Sequence, residues 1–90
     1  MNTEFEYELE IEGHVIHVTV EAEARMYRDL YGADADGNRG EWRTEMDDLE
    51  IKIVDGRGKD ITEKLSKKYK SEYEQILEKA EEELYEAYEN

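Results

Sequence analysis

The densest group of possible oxygen ligands lies between residues 34 and 45, where carboxylate and amide side chains recur at the spacing of a calcium-binding loop. Four of them stand at loop positions one, three, five and twelve: Asp34, Asp36, Asn38 and Glu45. Such a loop needs glycine at position six, where this chain has Arg39, with Gly40 one place late. An exposed turn rich in Asp, Asn and Gly has the same composition. We favour the solvated turn, keep calcium as a weak alternative and expect no other metal site.

The remaining reactive side chains do not form a catalytic or cofactor-binding set. His14 and His17 are three residues apart in a predicted strand, so they point to opposite faces and cannot bind one ion. His17 faces Glu8 instead. Residues 56–59 (Gly-Arg-Gly-Lys) lack the first glycine of a phosphate-binding loop, and Asp60 replaces the Ser or Thr that would bind magnesium. With no cysteine, two serines and no His–acid–nucleophile set, we expect a protein that is not an enzyme and uses no cofactor.

Charge is the strongest compositional signal. The 90 residues carry 26 Asp and Glu against 12 Lys and Arg, a formal net charge of −14. Direct binding of nucleic acid or anionic lipid is not expected, because neutralising phosphates requires Lys and Arg. A partner with a basic protein surface suits this charge. No apolar run approaches the roughly 20 residues of a membrane span, and the first residues lack the features of a signal peptide, so we expect a cytoplasmic protein.

Alternating apolar and polar residues predict a β-hairpin with strands at residues 3–11 and 14–24. From Phe5 to Ile11 every second residue is apolar and the residues between them are glutamates, and the alternation resumes after Gly13. A two-residue turn at Glu12 and Gly13 pairs Ile11 with His14 and places both apolar sets on one face. A shift of one residue would mix the faces. Because Glu12 disfavours the positive φ that such a turn needs, we expect an irregular turn.

Residues 25–47 are predicted to form a long loop. Residues 25–31 allow either an extension of the second strand or a short helical turn, and residues 32–40 are a Gly, Asp and Asn turn cluster. Loops of this length are often functional. Tyr27, Tyr31 and Trp42 lie near arginines here, which is typical of a partner-binding patch. A lid over the open end of the core is the equally weighted alternative.

A third strand at residues 48–54 and a turn at 55–59 precede a helical region at 61–88. Residues 60–90 contain neither Gly nor Pro, and apolar residues recur there at spacings of three and four. Asp60 and Glu63 form a capping-box pattern, and Ser66 and Ser71 are candidate caps of a restarted helix. We favour a short turn near residues 61–65 followed by one long helix to about residue 87, with two helices as the alternative.

These elements predict a single α+β domain over residues 1–90. Its three-stranded antiparallel sheet consists of the N-terminal hairpin and the third strand, with the C-terminal helix packed on one face. The expected core is Tyr7, Leu9, Ile11, Ile16, Val18, Val20, Leu49, Ile51, Ile53, Leu65, Ile76, Leu77 and Leu84. Four tyrosines of the helical region are expected to pack, and the last two, Tyr85 and Tyr88, are also candidates for a homodimer contact.

Acidic side chains are concentrated in the hairpin and in the second half of the helical region. Residues 1–24 carry seven acids and neither Lys nor Arg. Glu4 faces Glu21 across the hairpin, where like charges repel, and the helical region has lysines early and glutamates late, against the helix dipole. The non-functional interpretation, which we favour slightly, is that surface charge costs little because salt screens most of it. The functional alternative rests on alternate strand residues projecting about 6.8 Å apart, a spacing of the order found along a nucleic-acid backbone. Its candidate partner-binding residues are Glu4, Glu6, Glu8, Glu10, Glu21, Glu23, Tyr27, Tyr31 and Trp42.

The layout of the chain resembles that of small acidic proteins encoded by phages and prophages. The similarity rests on residues 7–13, residues 18–20, the Gly/Asp loop, Asp55-Gly56 and residues 60–62 before an acidic helix. It covers most of the chain and contains no specific motif. Some such proteins are anti-defence inhibitors, including anti-restriction and anti-CRISPR DNA mimics.

The resemblance therefore implies a non-catalytic inhibitor of a basic, nucleic-acid-binding host protein, acting in the host cytoplasm. A small structural or assembly protein of a phage particle is the alternative, with Tyr27, Tyr31 and Trp42 or the helix as its interface. A weak calcium-binding module is the third possibility.

Overall fold

Three antiparallel strands and two helices make up the computed structural model of the chain, which describes residues 1–33 and 39–89, with the backbone alone for Tyr31, Ala33 and Arg39. The strands are β1 (Asn2–Ile11), β2 (His14–Ala33) and β3 (Arg39–Asp55), and the helices are α1 (Thr62–Lys68) and α2 (Lys70–Glu89). The sheet order is β1-β2-β3. The predicted α+β fold, with the C-terminal helix packed on a three-stranded antiparallel sheet, is confirmed.

The β1–β2 hairpin has the predicted register. Leu9 pairs with Ile16 and Ile11 with His14, across a two-residue turn. Glu12 has φ 52° and Gly13 has φ 81°, the positive values that a type I′ turn requires. The expected irregular turn is therefore wrong. Burying the whole apolar face in register outweighs the roughly 1–2 kcal/mol that a left-handed conformation costs a residue with a Cβ.

The described parts of residues 25–47 are strand, so the prediction of a long loop is wrong there. β2 and β3 stay paired from Arg25↔Asp47 to Ala33↔Arg39, although β1 reaches only as far as Glu23. We call residues 25–33 and 39–47 the arm. It extends the molecule to 57 × 22 × 17 Å. The polar residues that interrupt the apolar alternation hid these strands, since a two-stranded ribbon can be held by backbone pairing with little burial.

A β-bulge in β3 lies at the base of the arm. Asp48 and Leu49 together oppose Ala24, because Glu23 pairs with Glu50 whereas Arg25 pairs with Asp47. Asp48 has φ 56°, a conformation that Asp tolerates better than most residues. The extra residue shifts the phase of the strand, so that Met46 and Leu49 both pack into the same apolar cluster.

The core consists of two clusters between the sheet and the helices. The first contains the buried residues Leu9, Val18, Val20, Ile53, Leu65 and Ile76, and the second contains Ala22, Ala24, Ala80 and Leu84. The other predicted core residues pack against these clusters, apart from Leu77, which is partly exposed on α2. The expected core did not include the three alanines, although the alternation of β2 and the apolar stripe of the helix place them on the core side. Their small side chains let α2 lie close to β2, a packing role that hydrophobicity alone does not reveal.

The helical region divides at Tyr69, four residues later than the favoured arrangement placed the break. Tyr69 has φ −130°, and no side chain caps α1 at Ile61. Asp60 nevertheless accepts hydrogen bonds from the Thr62 backbone (2.9 Å) and hydroxyl (2.7 Å). Ser66 lies inside α1 and donates to the carbonyl of Glu63 (2.8 Å), so it is not a cap.

The division also changes how charge relates to the helix dipoles. Lys67 and Lys68 fall in the last turn of α1, where cations are favourable, and Glu63 falls in its first turn. The predicted conflict with the dipole is therefore wrong for α1. It holds for α2, whose last turn has no basic residue.

Candidate acidic protein-binding surface

The sheet face opposite the helices, which we call the outer face, is open to solvent along β1. Glu4, Glu6, Glu8 and Glu10 are all exposed on it. The residues between them, Phe5, Tyr7 and Leu9, pack into the core on the other face. Strict alternation in β1 thus turns every apolar side chain toward the core and places every glutamate of the row in solvent. The row is held by a strand that is paired along its whole length.

Few cations lie beside this row. Glu4 pairs with Glu21 across the hairpin, and Glu23 pairs with Glu50 on β3. On the outer face of residues 2–23 and 48–55, the basic side chains are His17, whose Nδ1 is 3.4 Å from Glu8 Oε1, and Lys52, which pairs with Glu21; Met1 and Arg25 lie beside Glu23 at the base of the arm. The predicted facing of His17 and Glu8 is confirmed. Like-charged cross-strand pairs leave this part of the outer face strongly negative.

The outer face of the arm differs because arginines lie among its acidic side chains. Arg25 Nη2 donates to Asp47 Oδ2 at 2.9 Å and stacks 5.4 Å from the centre of the Tyr27 ring. Hydrogen bonding to Arg25, and then to Tyr27, lowers the pKa of Asp47. The hydrogen bond to Asp47 likewise raises the pKa of Arg25 and that of Tyr27. Arg43 lies 3.5 Å from Glu41. The uncompensated acid is therefore on the β1 side of the face.

The three aromatic candidates of the predicted loop are not brought together. Tyr27 lies on the outer face with Asp47. Trp42 pairs with Leu30 on the opposite face of the arm and is 60% exposed, so it is not a lid over the core. Tyr31 pairs through its backbone with Glu41. Trp42 and Tyr27 thus belong to two different surfaces.

The calcium candidate falls mostly outside the described residues. Asp34, Asp36 and Asn38 are not described, and Glu45 lies in β3 opposite Tyr27. The elements on either side are the strands β2 and β3 rather than the helices of an EF-hand. Within residues 1–33 and 39–89, no three His, Asp or Glu side chains are grouped so that they could hold a metal ion.

The turn at residues 56–59 has its backbone donors occupied. Asp55 Oδ1 accepts from the backbone N–H of Arg57 (2.9 Å) and of Lys59 (3.0 Å). These bonds, that to Lys59 first, lower the pKa of Asp55. A phosphate-binding loop would offer such N–H groups to its ligand. This segment is a turn, as predicted.

Three acidic residues that sequence reasoning did not include belong to the same acidic surface. Glu50 extends the carboxylates of the outer face onto β3. Glu12 and Glu72 line a groove of about 430 Å³ beside β1, together with Glu8 and Glu10. Glu12 also accepts a hydrogen bond from the Tyr69 hydroxyl (3.0 Å), which raises the pKa of Tyr69. That Glu50 lies beside Glu23 follows from the register once β3 is paired with β2. The groove could not be found in this way, because it depends on where α2 begins.

Comparisons of the chain with protein-family models, with curated proteins and with solved structures found no match. Among the described residues, neither helix combines the length and the apolar character needed to cross a membrane.

Proposed function

We propose that this chain is a non-catalytic inhibitor that binds the nucleic-acid-binding surface of a basic protein through its outer face. The observation that carries the proposal is the exposed row of Glu4, Glu6, Glu8 and Glu10 on β1, with no element of the described chain packed over it. A surface that binds phosphates by Lys and Arg would meet regularly spaced carboxylates in their place.

The rigidity of the row supports this function over simple solvation. Its backbone is fixed by ten cross-strand pairs, so the strand itself needs no ordering on binding and only the glutamate side chains become restricted. A chain of net charge −14 would also steer a basic partner into encounter, and this steering weakens as salt is added.

The partner class we propose is a DNA-handling host defence protein, such as a restriction or CRISPR nuclease, met in the host cytoplasm. Such proteins hold nucleic acid in basic grooves. Like the DNA mimics that occur among small acidic phage proteins, it would act by competing with DNA and would bind no nucleic acid itself.

A displacement assay tests the proposal. Purified restriction and CRISPR nucleases are loaded with a fluorescent DNA duplex, and the release of DNA is followed by anisotropy as the protein is added. We expect release from at least one nuclease, with weaker competition at higher salt. No release from any member of the panel at low salt would contradict the proposed partner class.

A small assembly protein of a phage particle or other complex is the second candidate. The observation that favours it is on the arm, where Trp42 is 60% exposed and Leu30 is 38% exposed. An assembly role would depend on these apolar residues and would tolerate the loss of the glutamate row.

A further inference from the structure

The edge of β1 that faces away from β2 has no strand beside it, because β1 is the first strand in the sheet order. Met1 and Ala24 exchange both backbone hydrogen bonds across the hairpin (2.8 and 2.9 Å). Hydrogen-bonded pairs alternate with non-bonded pairs in an antiparallel ladder, so the odd-numbered residues of β1 bond to β2. The backbone N–H and C=O groups of the even-numbered residues therefore point to the free edge. These residues include the glutamate row: Glu4, Glu6, Glu8 and Glu10.

The opposite edge of the sheet is closed by the chain itself at one end of β3. Ile53 donates its N–H to Thr62 Oγ1 (2.8 Å), and its carbonyl accepts from the Ile61 N–H (2.8 Å). The Asp55 N–H donates to the carbonyl of Lys59 (2.9 Å). Within residues 1–33 and 39–89, no segment bonds in this way to the outward backbone groups of the glutamate row. The free edge of β1 is thus a template of unpaired donors and acceptors.

β1 also lacks several features that usually keep an edge strand from pairing with another chain. It contains neither Pro nor Lys, and its register with β2 has no bulge. Its protection is negative charge. Antiparallel pairing with the same edge of a second copy would place glutamate beside glutamate, which is unfavourable in a sheet. The edge therefore rejects an acidic strand and favours a basic one.

An acidic groove continues from this edge toward α2. Its volume is about 430 Å³, and its described lining residues include neither Lys nor Arg. The lining residues are Glu8, Leu9, Glu10, Glu12, Gly13, Glu72 and Gln75. Further along β1, Phe5 and Tyr7 are half-buried on the core side of the strand. A segment lying along the edge would thus meet carboxylates on one side and, in part, aromatic rings on the other.

We propose that the free edge of β1 binds an extended basic segment of a partner protein, which adds to the sheet as a fourth strand. In an antiparallel arrangement, each glutamate of the row exchanges backbone hydrogen bonds with one partner residue, whose side chain projects from the same face. A Lys or Arg at that position reaches the carboxylate of the same glutamate. The partner segment therefore carries a basic residue at every second position. Because the same glutamates form the outer face, this binding mode rests on the proposed function and adds the conformation of the partner.

A peptide of alternating Lys and Thr, as long as the 10 residues of β1, tests this binding mode. Lys supplies the charge and Thr favours strands. Backbone amide exchange of the full chain is followed by NMR with and without the peptide. In the free chain, the amides of Phe5, Tyr7 and Leu9 should exchange slowly and those of the glutamate row fast. Saturation with the peptide should slow exchange at the glutamates, and an absence of binding at low salt or of added protection would overturn the proposal.

Two N-methylated peptides of equal charge separate backbone pairing from charge attraction. One is methylated on the Lys nitrogens, which face β1 in the proposed arrangement, and the other on the Thr nitrogens, which face solvent. Calorimetry should show the Lys-methylated peptide binding at least about tenfold more weakly, because it has lost its hydrogen-bond donors to β1. The Thr-methylated peptide should bind nearly as well as the unmethylated one. Equal affinities of the two methylated peptides would contradict strand addition.

Failure of this binding mode can be told from failure of the proposed inhibitor function. If the chain releases DNA from a nuclease while the peptide leaves the glutamate amides unprotected, strand addition is wrong and the inhibitor function stands. If the peptide adds to β1 while no nuclease of the panel releases DNA, the edge is a protein-binding site and the proposed class of partner is wrong.

Discussion

At the scale of single residues, two aspartates mark the ends of residues 48–55, the part of β3 that lies outside the arm. Asp48 holds the left-handed conformation of the bulge. Asp55 holds the turn into α1 through two backbone N–H groups. Neither role is visible in the alternation of the strand, because alternation reports burial, whereas Asp48 marks a backbone conformation and Asp55 accepts backbone hydrogen bonds.

Asp48→Val should destabilise the fold by about 1–3 kcal/mol, because a β-branched residue is strained in the left-handed region. The measurement is the free energy of unfolding by urea. Glu50→Val, two residues along the same strand and exposed, is the control and should be neutral or slightly stabilising, since Val favours strands. An Asp48→Val chain as stable as the wild type would show that the bulge is not a fixed feature.

Asp55→Asn should reduce the acid sensitivity of the fold. The pKa of Asp55 is lowered in the folded state, so on acidification the unfolded chain binds a proton at a higher pH than the folded chain does. The stability that ionised Asp55 contributes is therefore lost as pH falls below about 4. Asn keeps an acceptor but does not titrate. The fall in melting temperature between neutral pH and pH of about 3 should be smaller in the variant, whereas Glu78→Gln on exposed α2 should follow the wild type. An identical fall in the Asp55→Asn variant would refute this linkage.

At the scale of elements, the sequence was most informative where one face is buried. The β1–β2 register followed from Leu9, Ile16 and their neighbours, because a slip would expose them all. Extension of the second strand over residues 25–31 was one of two alternatives, but its pairing with residues 39–47 was missed because Arg28 and Thr44 interrupt the apolar face. The bulge, by contrast, can be recognised in the sequence in retrospect, because the apolar alternation of β3 changes phase between Met46 and Leu49. The break at Tyr69 has no Gly or Pro to mark it, and it depends on tertiary packing of both helices.

The close packing of α2 on β2 gives an element-scale prediction. Ala80 is fully buried against Ala22 and Ala24, so Ala80→Leu should overfill the contact and cost about 1–3 kcal/mol. Ala87→Leu, on an exposed position of the same helix, should leave stability almost unchanged. Chemical denaturation of both variants provides the comparison. Equal stabilities would mean that the helix does not lie as close to the sheet as the structure places it.

At the scale of the whole molecule, charge and apolar exposure are separated in space. The outer face along β1 carries the open glutamate row, and the arm carries the exposed Leu30–Trp42 pair. Composition revealed the excess of acidic residues, and the alternation of β1 placed Glu4, Glu6, Glu8 and Glu10 on one side of the strand. The predicted packing of the C-terminal helix on the apolar face also implied that the glutamate side is left uncovered, and both helices do pack on the opposite side of the sheet.

The most direct test of the account compares two sets of four substitutions that change the net charge equally. One replaces Glu4, Glu6, Glu8 and Glu10 by Gln, and the other replaces the exposed α2 residues Glu74, Glu78, Glu81 and Glu86 by Gln. Each is titrated against a nuclease from which the wild type releases DNA. The strand set should weaken competition by between about fourfold and several hundredfold, because each of the four exposed ion pairs contributes about 0.2–1 kcal/mol and about 1.4 kcal/mol is tenfold. The helix set should compete nearly as well as the wild type; equal losses in both sets would mean that net charge, and not the outer face, determines binding.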